Sequence, residues 1–155
     1  MSFQISGLPV APFKPLFGLS DAELAKHAAV RVTADKSPGF PCRVSLRDAE
    51  PGETLLLLNY AHLDVATPYR SRYAIFVREN AHEARVAVDE VPALLRSRLL
   101  SLRAFSARGM LLDADVVDGK AVEPVIERVL RAREVEYVHI HNAKPGCFAA
   151  EVRRA

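Results

Sequence analysis

The chain has 155 residues, half of them hydrophobic, and its 21 cationic and 19 acidic side chains leave a formal net charge of +2. That length sets the expectation of one domain over residues 1–155 with one core, and the charge balance excludes both a disordered chain and one dominated by a basic field. Cys42 and Cys147 are too few for a disulfide framework, and the longest aliphatic run, Leu55 to Leu58, is far short of the ~20 residues of a membrane span. With no basic and apolar leader pattern at the start, the expectation is a soluble cytoplasmic protein with free thiols and no membrane partner.

Phe3 to Leu8 reads as a first strand, followed by a connector punctuated by Pro9, Pro12 and Pro15. Ser20-Asp-Ala-Glu23 forms a capping box and opens a short helix to about Ala28. Val30 to Ala34 reads as a strand, and Asp35 to Pro41, with two prolines and a glycine, as a loop. The Pro51-Gly52 turn precedes the aliphatic run that ends near Tyr60, which fits a strand buried on both faces. Tyr73 to Arg78 is a further strand, and Ala84 to Val88 is read as another. Val91 to Leu102 begins at helical spacing and ends in alternation, so a short helix passing into a strand is expected there. Met110 to Val117 is a strand that Asp118-Gly119 stops. Val122, Val125, Ile126, Val129 and Leu130 form the cleanest helical stripe of the chain, with Arg128, Arg131 and Arg133 near its negative end.

Tyr137 to Arg153 reads as a hairpin, and two pairings are open. Asn142 opposite Cys147 leaves a four-residue loop and places both histidines with Phe148, Ala150 and Val152. His141 opposite Cys147 leaves a five-residue loop and gathers Val138, Ile140, Phe148, Ala150 and Val152 on one face. Tyr137, His139, His141, Cys147 and Glu151 then share the other. A slip of one residue flips every side chain, so the register that segregates the faces is expected. The architecture is therefore α+β, a mixed or mainly antiparallel sheet with two or three helices and a C-terminal β-hairpin.

Pro41-Cys42-Arg43, Gly52-Glu53 with the leucine run to Tyr60, Ile75-Phe76-Val77, His139-Ile-His141-Asn142-Ala143 and Gly146-Cys147-Phe148 together resemble the domain-of-unknown-function 1203 family. The resemblance extends over most of the chain. It implies a small bacterial protein and no particular reaction. The family pattern has a glycine-proline pair before the Ile-Phe strand, and this chain departs from it with Tyr73-Ala74.

Candidate chemistry centres on the hairpin. His139, His141 and Cys147 are candidate ligands for zinc or iron, with His62, Glu53 or Cys42 able to complete the shell, because neutral imidazole and thiolate suit those metals. An H-x-H on a strand also resembles the cupin arrangement, but the carboxylate and later histidine of that pattern are missing. A metal-free alternative makes Cys147 a nucleophile with His141 as its base. Arg43, Glu53 and Tyr60 are candidate ligand-binding residues, and Arg43, flanked by Cys42 and Val44, is expected to point inward toward Glu53 or Glu151.

Eight arginines between Arg70 and Arg108 face four carboxylates, an excess that could hold an anion or small molecule. The near-neutral total charge and the lack of an aromatic stacking strand argue against nucleic acid. Isolated glycines exclude a P-loop and a dinucleotide fingerprint, and no G-x-S-x-G elbow is present. Asp113, Asp115 and Asp118 fit a solvent-facing edge strand better than a magnesium site. The sequence supports a small-ligand or metal-binding domain with possible enzymatic chemistry; the alternative is a structural or interaction module that forms a homodimer.

Overall fold

The computed structural model describes residues 1–155. Its ten strands are β1 (Phe3–Ser6), β2 (Ala29–Thr33), β3 (Pro41–Cys42), β4 (Arg47–Asp48), β5 (Thr54–Leu63), β6 (Ser71–Arg78), β7 (Leu99–Phe105), β8 (Leu111–Asp118), β9 (Tyr137–Asn142) and β10 (Phe148–Arg154). Three α-helices accompany them, α1 (Asp21–Ala25), α2 (Ala93–Arg96) and α3 (Val122–Leu130). The strands form two sheets of five, ordered β1-β10-β9-β7-β8 and β2-β5-β6-β3-β4. Every pairing is antiparallel except the short parallel contact between β3 and β6. The fold is α+β with the C-terminal hairpin in place, and no helix is long and apolar enough to cross a membrane.

Each sheet has its own apolar cluster. Ile126, Val129 and Leu130 of α3 belong to the same cluster as Leu100 and Leu102 of β7, Val138 and Ile140 of β9, and Val152 of β10. This is the stripe that its 3.6-residue spacing announces. In the second sheet, Leu56 and Leu58 of β5 join Ile75 and Val77 of β6, with Leu24 of α1 covering them. Leu55 belongs to a separate small cluster with Ala34 and Ala49, so β5 is buried on both faces as its aliphatic run suggests.

Local signals fix several boundaries. The Ser20 hydroxyl accepts from the Glu23 amide at 3.2 Å, but Glu23 turns to Lys26 instead of closing the box, and α1 ends at Ala25. Asp118 caps the turn before α3 by accepting from the Lys120 amide. The strand expected over Ala84 to Val88 is absent. That stretch is held by single bonds instead, from the Ala84 amide to the Val44 carbonyl and from Gln4 Nε2 to the Val86 carbonyl. Isolated contacts of this kind tether an extended chain without forming a ladder.

Two polar links join the sheets. Arg98, just before β7, binds Asp48 of β4 through two bonds of 2.6 and 3.0 Å. Arg43, just after β3, donates to the Phe148 carbonyl of β10 at 2.7 Å.

Candidate functional site

The hairpin closes in the four-residue-loop pairing, with Asn142 opposite Cys147, and not in the five-residue-loop register expected from face segregation. The Asn142 amide donates to the Cys147 carbonyl at 2.9 Å, and the Gly146 amide to the Asn142 carbonyl at 2.8 Å, closing the four-residue loop. Gly146 lies at φ +81°, which explains the glycine. His141 therefore pairs with Phe148, not with Cys147. A β-bulge between Phe148 and Ala150 then shifts the register, so that Ile140 faces Ala150, His139 faces Glu151 and Val138 faces Val152. Ala149 and Ala150 both join the apolar cluster, which restores segregated faces beyond the turn. The bulge has two consequences: Phe148 moves onto the histidine face, and Cys147 leaves it.

On the histidine face, His62 of β5 comes to both hairpin histidines. Ring centroids lie 5.0 Å apart for His62 and His141, and 6.3 Å apart for the other two pairs. Phe148 stacks on His62, and Phe105 meets His139 edge-on. His141 Nδ1 donates to the Gly146 carbonyl at 2.9 Å, while His139 Nε2 lies 3.4 Å from Glu151 Oε2. Across β7, Arg103 is opposite His139 and Ser101 opposite His141.

Burial, reinforced by the neighbouring imidazoles and Arg103, lowers His141 to about 3 and His62 to about 4. Both rings are thus neutral at neutral pH. Burial pushes the Glu151 carboxyl up, but hydrogen bonds from His139 and Arg153 outweigh it and hold the group below its ordinary range.

On the other side of the strand pair, a cavity of about 550 Å³ opens between the sheets, with Arg43, Asn142, Lys144 and Cys147 in its wall. Arg43 is 2 % exposed and has no carboxylate partner. Its Nε donates to the Phe148 carbonyl, its Nη1 to the Pro41 carbonyl at 2.6 Å, and its Nη2 to Cys147 Sγ at 2.9 Å. Burial lowers its pKa from the usual arginine value. Asn142 Nδ2 gives Cys147 Sγ a second, longer contact of 3.7 Å, and Asn142 Oδ1 is buried without a partner.

The candidate residues are thus divided among several places. Cys147 is with Arg43 and apart from His141, so His141 is not positioned as its base. Neither expected acidic partner reaches Arg43, because Glu53 binds Arg78 and Glu151 binds His139 and Arg153. Tyr60 packs against Phe13 in the second apolar cluster. His139 and His141 do come together, joined by His62, but no group of three or more His, Cys, Asp or Glu side chains is placed to hold a metal ion.

Arg103, Asn142 and Lys144 escaped sequence reasoning as individual site residues. Arg103 carried a faint signal, as one of eight arginines in a stretch with four carboxylates. Half of that cluster is committed to carboxylates elsewhere: Arg70 binds Asp64, Arg78 binds Glu53, Arg96 binds Glu123 and Arg98 binds Asp48. Asp113 and Asp115 both bind Arg128 on the outer strand β8.

No curated protein and no solved structure matches the chain. A family model does, over residues 39–154, a span that contains β3 to β10 and both hairpin faces, and the chain belongs to that family, described as a protein of unknown function (DUF1203).

Proposed function

We propose that the protein binds a small organic molecule in the cavity between its sheets and presents Cys147 there as a thiolate nucleophile. One observation carries this reading: a guanidinium that is 2 % exposed, has no carboxylate, and donates to a sulfur in the wall of that cavity. An unbalanced buried cation is costly, and a thiolate at Cys147 supplies the missing negative charge. Leu57, Phe76 and Leu99 give the cavity an apolar side, while Asn142 Oδ1 and Lys144 offer polar contacts to the other end of a ligand. The sulfur would bond to an electrophilic carbon, the displaced group leaving with the electron pair and taking a proton from Lys144 or water.

Alkylation of the native chain by iodoacetamide, followed by mass spectrometry, tests this. Cys42 is an internal control, fully buried and accepting only the Ser45 and Arg78 amides. Cys147 should be modified at least about tenfold faster than Cys42, and Arg43→Met should remove most of that advantage. Equal inertness of the two thiols in the folded protein would sink the proposal.

A second reading is a homodimer through β8. It is favoured by the free edge of that outer strand, by the exposed Leu112 and Val116 along it and by the exposed Met110 just before it. Light scattering at micromolar concentration distinguishes a dimer, dissociated by Val116→Lys, from a monomer.

A further inference from the structure

The histidine face borders a second cavity, of about 280 Å³, that the thiol chemistry does not use. Three β-bulges lie beside it: at Tyr60 to Leu63 in β5, at Leu111 to Asp113 in β8 opposite Ala104 and Phe105, and at Phe148 to Ala150 in β10. Bulges re-aim side chains and concentrate near functional sites. Here they surround His62, His139, His141 and Arg103, all in the cavity wall.

The hydrogen bonds behind the rings decide what the wall offers. A carbonyl can only accept, so His141 carries its proton on Nδ1, toward Gly146, and presents the Nε2 lone pair. His139 Nε2 lies 3.4 Å from Glu151 Oε2, and because a carboxylate only accepts, a neutral His139 ring with its proton on Nε2 presents Nδ1 as the acceptor. That His139 Nδ1 is buried without a partner in a residue 4 % exposed, and His62 Nδ1 is also buried and unpartnered. Arg103 supplies the opposite chemistry. It has no carboxylate partner, and its single hydrogen bond is a long one of 3.4 Å from Nε to Ser101 Oγ. Burial lowers its pKa, as expected of a guanidinium with no counter-ion beside it.

The wall therefore combines one cation, rich in donors, with several imidazole acceptors. A fully deprotonated oxyanion would satisfy Arg103 and leave the imidazole lone pairs facing oxygen lone pairs. A cation would meet Arg103. An oxyanion that keeps a proton satisfies both, accepting from the guanidinium and donating its O–H to an imidazole nitrogen. The volume lies just below the roughly 300–1,000 Å³ typical of pockets for drug-sized ligands, which suits a single small ion better than a metabolite.

We propose that this cavity binds a small protonated oxyanion, of the hydrogen phosphate or bicarbonate kind, between Arg103 and the acceptor nitrogens of His139 and His141. The site is separate from the Cys147 cavity and does not depend on the thiol reading.

Isothermal titration calorimetry of the full chain at neutral pH, with phosphate, bicarbonate and sulfate as separate titrants, tests the proposal. Phosphate or bicarbonate should bind with a dissociation constant of about 1 mM or tighter, and the stronger of the two identifies the ion. Sulfate, with no proton to donate near neutral pH, should bind at least about tenfold more weakly, because it leaves the buried acceptors unpaired. Arg103→Gln, at a partly exposed position that should leave folding intact, should weaken binding at least about tenfold, whereas Lys144→Ala in the other cavity should not change it. Four results would overturn the proposal: no binding of either ion, sulfate bound equally well, loss of binding in Lys144→Ala but not in Arg103→Gln, or stoichiometric zinc uptake that His62→Ala abolishes.

Discussion

Arg43 shows how much a single buried charge constrains its surroundings. Its inward orientation was legible from its apolar neighbours Cys42 and Val44, but its partners were not, because Cys147 and Phe148 lie more than a hundred residues away in the chain. Replacing Cys147 by Ala removes the sulfur that accepts from Arg43 Nη2 and, on the thiolate reading proposed above, leaves the guanidinium without a counter-charge. The expected loss is about 3 kcal/mol, more than a small side chain alone would give, and Arg43→Met in the same chain should recover part of it. A double-mutant cycle in urea measures that coupling; strictly additive effects would remove the case for an ion pair.

The histidines make a second prediction at this scale. His62 and His141 titrate at about 4 and about 3 in the fold, against 6.5 for an unperturbed imidazole. Between those values the unfolded chain binds more protons, so the free energy of unfolding rises with pH. The full contribution is present above about pH 6.5 and is lost as the pH falls toward the folded values, at no more than about 1.4 kcal/mol per unit for each ring. Denaturant melts from pH 7.5 downward should show this decline, and His62→Gln should flatten it.

At the scale of elements, periodicity was a good guide wherever one face meets a core. The α3 stripe falls where its spacing places it, and Ile126→Ala should cost about 2–5 kcal/mol, read from the urea midpoint. The turn before α3 is equally constrained. A Cβ on Gly119 would sit 1.9 Å from the Leu95 carbonyl oxygen, so Gly119→Ala must displace α2 or the turn. It should destabilise by about 2 kcal/mol or more, in contrast to Gly52→Ala, which meets no neighbour and pays only for its positive φ. The hairpin was only half legible. Face segregation correctly grouped Val138 and Ile140 with Ala150 and Val152, but the loop closes in the other register and the cross-strand partners differ from those expected, because the bulge leaves no mark in an alternation pattern. That bulge decides the chemistry, since it separates Cys147 from His141.

At the scale of the whole molecule, two sheets with separate apolar clusters are held together partly by polar links. Arg98 and Asp48 are both mostly buried and joined by two bonds across the sheets. Arg98→Ala strands the Asp48 carboxylate and should cost about 3 kcal/mol, whereas Arg98→Ala with Asp48→Ala should cost less than the single change. Unfolding followed separately by aromatic and far-ultraviolet signals would then show whether the sheets still melt together.

The sequence by itself determined the α+β class, most strand and helix positions, the inward Arg43 and the family. These follow from short-range rules of periodicity, capping and turn chemistry, or from motifs read directly. Only the tertiary structure decided which chemistry-bearing side chains meet. His62 reaches His139 and His141 from another sheet, Arg103 joins them from a neighbouring strand, and Cys147 turns instead to Arg43. The reason is physical: a one-residue bulge changes the face of every side chain before it, and burial decides which charges must find partners across the chain.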